Sequence, residues 1–173
     1  MTPNLHAYIA RLAPAWDDMT VVEIGARSAD GQEHMHLADV IEQGATYIGI
    51  DVEDGRHVDY TVDITDVSRE SDVADMIAEA DVVLCLESLE HMPRFWRALE
   101  VFSWMKPGAT LIISVPAFDA SGRTFKHHRY PVDCYRFHED AVPVLMDGFD
   151  VAEVLRVKDS AMQETLVMRG VKR

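Results

Sequence analysis

The chain has 173 residues, of which 48% are hydrophobic and 27% charged, the composition of an ordinary globular protein. This length suits one domain and is too short for two ordinary ones, so we expect a single domain over residues 1–173. The formal net charge of −14 disfavours nucleic acid and anionic membranes as partners, because so acidic a surface repels phosphate groups.

Apolar runs alternate with amphipathic stretches from Thr20 onward, the order expected of parallel strands joined by helical crossovers. The predicted strands, in chain order, are Thr20–Ile24, Ala45–Ile50, Val58–Val62, Asp81–Leu86 and Thr110–Val115. The predicted helices between them are Gln32–Gln43, Ser68–Ala80 and a helix that starts at Pro93 and runs to about Met105.

The C-terminal part has a different pattern. A helix is predicted near Glu139–Met146, and Pro143 should kink or shorten it. Phe149–Val157 and Ala161–Met168 follow with only a short polar break, which predicts an antiparallel hairpin at the edge of the sheet. The whole pattern predicts an α/β protein with a three-layer α/β/α, Rossmann-like fold. Its seven-stranded sheet is mostly parallel and ends in the C-terminal antiparallel hairpin.

The cysteines and the N-terminus bear on the compartment. Cys85 and Cys134 are the only cysteines and lack CxxC spacing, so neither a disulfide framework nor a thiolate zinc site is expected. The chain shows no leader-like N-terminal pattern and no apolar run of membrane-spanning length. We therefore expect a cytoplasmic protein without a membrane partner. Four histidines could be taken for metal ligands, but without nearby cysteines or convergent carboxylates no metal site is expected: His34, His36, His127 and His128.

Ligands of an open α/β sheet bind beyond the carboxyl ends of the strands. This rule indicates four places, namely Glu23–Gly31, Asp51, Asp63 and Leu86–His91. In the first of them Gly25 lets the backbone approach a ligand, and Asp30 and Glu33 have the spacing of a capping box. Such a helix start would direct free N–H groups at an anion such as a carboxylate. The alternative is that the glycine only serves a tight turn and that Asp30 only caps a helix.

Asp51 and Asp63 end neighbouring predicted strands beside the glycine loop. A carboxylate at Asp51 can accept both hydroxyls of a ribose, and Asp63 could accept from the amino group of adenine. Either residue could instead be a solvated acid in a turn. Asp51 also lies twenty residues after Gly31, the interval expected of a nicotinamide-binding fold, so Asp51 alone does not distinguish the two cofactors.

Five segments in the right order resemble the class I S-adenosylmethionine-dependent methyltransferases, particularly the small type 11-like bacterial and phage domains. The segments are Glu23–Gly31, Tyr47–Asp51, Val58–Asp63, Asp81–Pro93 together with Met105–Pro116, and Arg129–Phe137. The resemblance covers roughly Met19 to the C-terminus. The chain departs from the family pattern where Arg27 and Ala29 replace two loop glycines and Ala109 replaces a turn glycine.

The resemblance implies an enzyme that transfers a methyl group from S-adenosylmethionine to a small-molecule or carbohydrate-like acceptor. It implies that Glu23 and Gly25 line the methionine end of the cofactor, Asp51 the ribose, Asp63 with Ile64 the adenine, and Leu86 with Glu87 the far wall. Ala26, Arg27 and Val52 are further cofactor contacts. His91 is the candidate general base, which is needed only if the nucleophile arrives protonated. The alternative is that His91 hydrogen-bonds backbone and shapes the turn.

The segment Ser121–His138 is basic within an acidic chain, with Arg123, Lys126, Arg129 and Arg136 against Asp133. We expect it to cover the acceptor pocket and to recognise an anionic substrate through Arg123, His128, Arg129, Tyr130, Tyr135 and Arg136. The alternative is that Arg129 and Arg136 pair with the protein's own carboxylates, Asp133 among them.

Two other functions compete with methyl transfer. The first is a nicotinamide-dependent oxidoreductase, disfavoured because Gly25 to Gly31 does not form GxGxxG. The second is a degenerate methyltransferase fold that acts as a non-catalytic binding module, a hypothesis suggested by the missing loop glycines.

Overall fold

The computed structural model of the protein describes residues 2–27, 36–118, 132–160 and 163–173. Its strands are β1 Thr20–Ile24, β2 Thr46–Asp51, β3 Tyr60–Thr61, β4 Val82–Leu86, β5 Thr110–Pro116, β6 Phe149–Ser160 and β7 Gln163–Lys172. Its α-helices are α1 Pro3–Leu12, α2 Ala38–Ile41, α3 Asp72–Glu79, α4 Phe95–Phe102 and α5 Val142–Leu145.

All seven strands belong to one sheet, in the order β3-β2-β1-β4-β5-β7-β6. β1 to β5 pair in parallel, whereas β7 runs antiparallel to both β5 and β6. Helices α3, α4 and α5 contribute to one hydrophobic cluster, and α1 and α2 contribute to the other. The predicted fold class is confirmed, including the hairpin at the sheet edge.

The central strands match their predicted positions because they are buried on both faces, so their sequences read as unbroken apolar runs. Every residue of β4 is buried. The third strand is the exception. We predicted five residues, Val58–Val62, but only Tyr60–Thr61 pairs with β2. Both residues of β3 are exposed, and this strand lies at the edge of the sheet, where among the described strands it pairs only with β2.

The start predicted for the helix after β4, at Pro93, is wrong. α4 begins at Phe95 with Arg94 as its N-cap residue, so Pro93 is not its first helical residue. Leu89–His91 form a 3-10 turn just before it. The carbonyl oxygen of Pro93 accepts a hydrogen bond from the Tyr135 hydroxyl at 2.8 Å, a contact that sequence spacing could not indicate. Of the predicted helix Gln32–Gln43, the described part is helical only over Ala38–Ile41.

The expected effect of Pro143 is confirmed. Glu139–Ala141 form a 3-10 turn, and α5 is a single short turn with Pro143 near its start. The Nδ1 atom of His138 accepts from the Asp140 N–H at 3.3 Å, so a histidine occupies the capping position where serine or threonine is common.

The sequence analysis missed α1. The hydroxyl of Thr2 accepts from the Leu5 N–H, and Pro3 occupies the first turn. Leu5, Tyr8 and Ile9 are buried at helical spacing, so the apolar period and the Thr-Pro start were both readable signals. The Tyr8 hydroxyl donates to Glu153 at 2.6 Å, which attaches the helix to β6. Within the described ranges, no helix is long and apolar enough to cross a membrane.

Candidate active site

The carboxyl ends of β2, β1 and β4 lie side by side, and the loop Gly25–Arg27 follows β1 at this edge. We call Gly25–Arg27 the cofactor loop. Gly25 has φ +81°, and a Cβ added to it would lie 2.1 Å from the Ser88 Oγ. The N–H groups of Gly25 and Ala26 donate to the Ile50 carbonyl at 2.9 and 3.2 Å. The cofactor loop is therefore fixed against β2 on one side and close to Ser88 on the other. The rest of the predicted loop and its capping box, residues 28–35, lies outside the described residues.

Asp51 is held at the end of β2 by two backbone groups. One carboxylate oxygen accepts from the Arg27 N–H and the other from the Glu53 N–H, both at 3.0 Å. A carboxylate oxygen can accept more than one hydrogen bond, so both oxygens keep capacity for hydroxyl donors. The Arg27 guanidinium lies 3.5 Å from the Glu53 carboxylate. Val52, the neighbouring predicted contact, is 64% exposed.

Asp63 caps the 3-10 turn Ile64–Asp66. Its Oδ1 accepts from the Thr65 N–H at 2.8 Å and from the Thr65 hydroxyl at 2.7 Å. Ile64 is buried in the core cluster that contains α3 and α4. This geometry is that of the turn-capping alternative, and the adenine contacts of Asp63 and Ile64 stay predictions.

Glu23 on β1 is a buried acid beside the cofactor loop. It is 6% exposed, and its Oε2 accepts a hydrogen bond from the Tyr47 hydroxyl at 2.7 Å. Burial raises the pKa of Glu23 from 4.5 to about 7, although the Tyr47 hydrogen bond opposes the rise. A neighbouring positive charge would favour the ionised form of this carboxyl.

The end of β4 adds two more buried acids. Leu86 and Glu87 are both buried, and Glu87 has φ +50°, a left-handed conformation that non-glycine residues seldom adopt. The Glu87 N–H donates to the Ser114 carbonyl at 3.0 Å, and burial raises the pKa of the Glu87 carboxyl to about 7. Glu90 is fully buried. Burial, followed by the charge of Glu87, holds the pKa of Glu90 well above its usual range.

His91 faces the segment Val132–Phe137 through its Nδ1 atom. This atom lies 3.1 Å from the Val132 carbonyl oxygen and 3.2 Å from an Asp133 carboxylate oxygen. Both partners are acceptors, so Nδ1 carries the proton and Nε2 is the basic nitrogen of the neutral ring. Burial lowers the pKa of His91 below its ordinary value. The structure therefore contains the backbone contact of the turn-shaping alternative and leaves the role of general base as a prediction.

The segment Ser121–His138, the predicted lid over the acceptor pocket, is described only from Val132 onward. Arg123, His128, Arg129 and Tyr130 lie outside the described residues. The N–H groups of Cys134 and Tyr135 donate to the Glu90 carbonyl at 2.7 and 3.2 Å, which places this segment on the loop after β4. Arg136 forms an ion pair with Asp133, and its Nη1 donates to the Tyr135 carbonyl at 2.9 Å. The ion pair with Asp133 is the alternative considered above for Arg136, in which the arginine pairs with one of the protein's own carboxylates.

Tyr135 belongs to an aromatic cluster with Phe95 and Phe137. Its ring centroid is 5.1 Å from that of Phe95 and 6.2 Å from that of Phe137, and its hydroxyl is bonded to the Pro93 carbonyl. The aromatic cluster attaches the described part of the lid to the start of α4. The substrate contacts of Tyr135 and Arg136 stay predictions.

A sheet of this order, with a fixed carboxylate at the end of β2 and a glycine loop after β1, has the arrangement typical of α/β domains that bind nucleotides. A family model described as a methyltransferase domain matches residues 2–150, so the chain belongs to this methyltransferase family. The resemblance to the class I enzymes is thereby confirmed. The protein is a methyltransferase, and its cofactor is S-adenosylmethionine.

Solved structures share the fold at low sequence identity. Magnesium protoporphyrin IX methyltransferase from Synechocystis, with bound S-adenosylhomocysteine, is 14% identical and superposes with a TM-score of 0.68, covering 98% of this chain and 82% of that chain. A putative methyltransferase from Bacillus halodurans is 10% identical with a TM-score of 0.67, covering 96% and 98%. No curated protein sequence matches the chain significantly.

A 16S rRNA adenine methyltransferase from Catenulisporales acidiphilia also has the fold, with 17% identity and a TM-score of 0.52, covering 95% of this chain and 90% of that chain. Proteins of this fold therefore include one that acts on RNA. The expectation that nucleic acid is not a partner rests on net charge alone and stays a prediction.

Proposed function

We propose that the protein methylates a small-molecule or carbohydrate-like acceptor, with its cofactor lying across the carboxyl ends of β2, β1 and β4. The observation that carries this placement is the Asp51 carboxylate, fixed by the Arg27 and Glu53 N–H groups at the end of β2. A carboxylate already fixed in position can accept ribose hydroxyls without losing side-chain freedom on binding.

The residues at this edge fit the charge of the cofactor. S-adenosylmethionine, when bound, supplies an electrophilic methyl group on a positively charged sulfur. Glu23 and Glu87 are buried acids at the ends of β1 and β4, so a cation placed between the two strand ends would favour their ionised forms. Gly25 of the cofactor loop follows β1, where its missing side chain makes room for Ser88, and the buried Leu86 shields the end of β4 from water.

His91 is the proposed general base for an acceptor that arrives protonated. The Val132 carbonyl and Asp133 hold the Nδ1 proton, so the proton of the acceptor is assigned to Nε2, which lies 3.8 Å from the Glu90 carboxylate. Its lowered pKa keeps the imidazole neutral near pH 7, as a base requires. Asp133 acts through His91 and is a positioning residue.

We predict that His91→Gln lowers the methyl-transfer rate on an O–H or N–H acceptor by roughly 10²–10⁴-fold, the usual contribution of a general base. The dissociation constant for S-adenosylhomocysteine should stay unchanged. A lower melting temperature with an unchanged rate would assign His91 to the turn instead.

The acceptor is proposed to be anionic because the segment Ser121–His138 is rich in basic residues within a chain of net charge −14. Arg136 is engaged with Asp133, so the acceptor contacts are assigned first to Arg123 and Arg129, with His128 and Tyr130 beside them. We further propose a cytoplasmic location for the enzyme, based on its sparse cysteines.

Cofactor binding tests the placement directly. Isothermal titration should detect S-adenosylhomocysteine binding and no NADH binding. Asp51→Ala should weaken the former by about 1–3 kcal/mol, because ribose hydroxyls lose a charged acceptor. Asp54→Ala is the matched control, since it removes an equal charge from an exposed position three residues away. Equal affinities for both variants and the parent would remove Asp51 from the site.

Catalysis is tested separately from binding. Labelled S-adenosylmethionine should give labelled product with a panel of small carboxylates, phosphates and sugars. Tight cofactor binding without methyl transfer to any compound of this panel or to RNA would contradict the proposed catalytic function. It would favour a non-catalytic binding module. Turnover on RNA alone would refute the small-molecule acceptor.

A further inference from the structure

His36 is a buried histidine whose two ring nitrogens are both used. It is 3% exposed, and its Nε2 lies 2.8 Å from the carbonyl oxygen of Ala26 in the cofactor loop. Its Nδ1 accepts from the Ala38 N–H at 3.2 Å, at the start of α2. A nitrogen that accepts cannot carry a proton, so Nδ1 is bare and Nε2–H donates to Ala26. The two contacts together require the neutral ring.

We propose that His36 is a positioning residue for cofactor binding, which acts as a neutral imidazole that fixes the Ala26 carbonyl and so the shape of the cofactor loop. This proposal rests on the placement of the cofactor described above. The other backbone hydrogen bonds given above for the loop use its N–H groups, since Gly25 and Ala26 donate to Ile50 and Arg27 donates to Asp51. His36 adds a bond on the carbonyl side of the Ala26–Arg27 peptide. Rotation of that peptide would also move the Arg27 N–H away from Asp51.

The surroundings of His36 disfavour its protonation. Burial lowers the pKa of His36 below its ordinary value of 6.5, and the neighbouring His57 lowers it further. The His57 ring lies 4.2 Å away, centroid to centroid, and the Tyr47 ring meets His36 edge-on at 6.2 Å. Among the described residues, the charged groups around this pair come from α2 and from the loop after β2, namely Asp39, Glu42 and Arg56.

The sign of the pH effect follows from this lowered pKa. Between the folded and unfolded pKa values the folded protein binds fewer protons at His36, so the stabilising contribution is complete above pH 6.5 and is lost as pH falls through the folded value. Protonation places a hydrogen on Nδ1 opposite the Ala38 N–H and breaks that contact. Because burial also penalises the charged ring, we expect the protonated ring to leave this position and to give up the Ala26 contact as well. We therefore expect the cofactor loop to loosen, and cofactor affinity to fall, in acid.

Two isosteric substitutions separate the two contacts. In His36→Gln the side-chain amide reaches the position of Nε2 and can donate to the Ala26 carbonyl. In His36→Asn the shorter amide reaches only the position of Nδ1 and can accept from the Ala38 N–H. We expect His36→Asn to weaken S-adenosylhomocysteine binding about three- to ten-fold at pH 7.5, the effect of one lost hydrogen bond, and His36→Gln to stay within about two-fold of the parent. Equal affinities of the two variants would overturn the proposal.

The pH dependence of cofactor affinity tests the proposal independently, because a merely structural role of His36 would leave it unchanged. Titration with S-adenosylhomocysteine from pH 7.5 to 5.5 should show a loss of affinity in the parent that exceeds the loss in His36→Gln. Contributions of other groups, such as Glu23, are common to both proteins and cancel in the comparison. Parallel profiles would overturn the proposal, and this comparison decides even if His36→Asn does not fold.

Asp51→Ala distinguishes failure of this proposal from failure of the cofactor placement. If Asp51→Ala weakens binding and His36→Asn does not, His36 is structural and the placement stands. If neither variant changes the affinity, the cofactor does not lie at this loop and both proposals fail.

Discussion

Replacing Glu23 with glutamine should make the protein more stable above pH 7 and should weaken its hold on the cofactor. Glu23 is 6% exposed, so its negative charge is costly whenever the cofactor is absent. The glutamine side chain has nearly the same shape and keeps an oxygen that can accept from the Tyr47 hydroxyl. The substitution therefore removes the charge while retaining the buried hydrogen bond.

The magnitude follows from the pKa of Glu23, which burial raises from 4.5 to about 7. Because the folded protein binds this proton more tightly than the unfolded chain, the stability from this carboxyl is complete below pH 4.5 and is lost as pH rises through 7. At about 1.4 kcal/mol per pKa unit, the loss amounts to roughly 3 kcal/mol. The Glu23→Gln variant escapes this loss, so at pH 8 it should be up to about 3 kcal/mol more stable than the parent.

Urea unfolding at pH 5 and pH 8 measures the stability, and titration with S-adenosylhomocysteine measures the affinity. Loss of a charge-assisted contact should weaken binding at pH 8 by about 1.5–3 kcal/mol. Tyr47→Phe is the matched control, because it keeps the carboxyl but removes its donor, and should lower stability at pH 8. A Glu23→Gln protein that is less stable at pH 8 and binds normally would refute the reasoning, since Glu23 would then be a structural acid only.

Two further substitutions test other parts of the site. Glu90→Gln should raise the free energy of unfolding at pH 8, because the pKa of this buried carboxyl is well above its usual range, and should leave cofactor affinity nearly unchanged. A large loss of affinity in a folded variant would mean that the loop after β4 is misassigned. Gly49→Ala should lower stability by about 3 kcal/mol or more, the upper end of overpacking costs, because its Cβ would lie 1.9 Å from the backbone carbonyl oxygen of His57. Gly108→Ala meets no atom within 4 Å and should cost only about 1–2 kcal/mol for its φ of +86°, so equal melting temperatures would contradict this steric argument.

The parallel part of the sheet could be predicted because burial on both faces leaves a simple signal. β1 matches its predicted limits, β4 and β5 differ by one residue at one end, and β2 differs by one residue at each end. The edge elements could not be predicted as well. β3 has one neighbour, so the apolar content of Val58–Val62 does not report how many residues pair.

The features of the site also differ in how well the sequence predicts them. Positions at strand ends, such as Asp51, follow from the sequence because the carboxyl ends of parallel strands share one edge. The burial of Glu90 could not be predicted from the sequence, because it depends on a segment distant in sequence. In that segment the N–H groups of Cys134 and Tyr135 donate to the Glu90 carbonyl. The orientation of His91 depends on the same segment through Val132. Such contacts depend on tertiary structure and leave no periodic pattern.

The cofactor loop shows why the loss of a family glycine does not by itself make this chain a non-catalytic module. Arg27 contacts Asp51 through its backbone N–H, which every residue except proline possesses, so arginine in place of glycine leaves this bond intact. The side chain turns outward instead, with its guanidinium 3.5 Å from Glu53 and its Cγ close to Gly55, where an added Cβ would lie 3.1 Å away. A glycine would leave these outward contacts unmade. The proposed general base His91 and its positioning residue Asp133 are therefore where kinetic variants can distinguish an enzyme from a binding module.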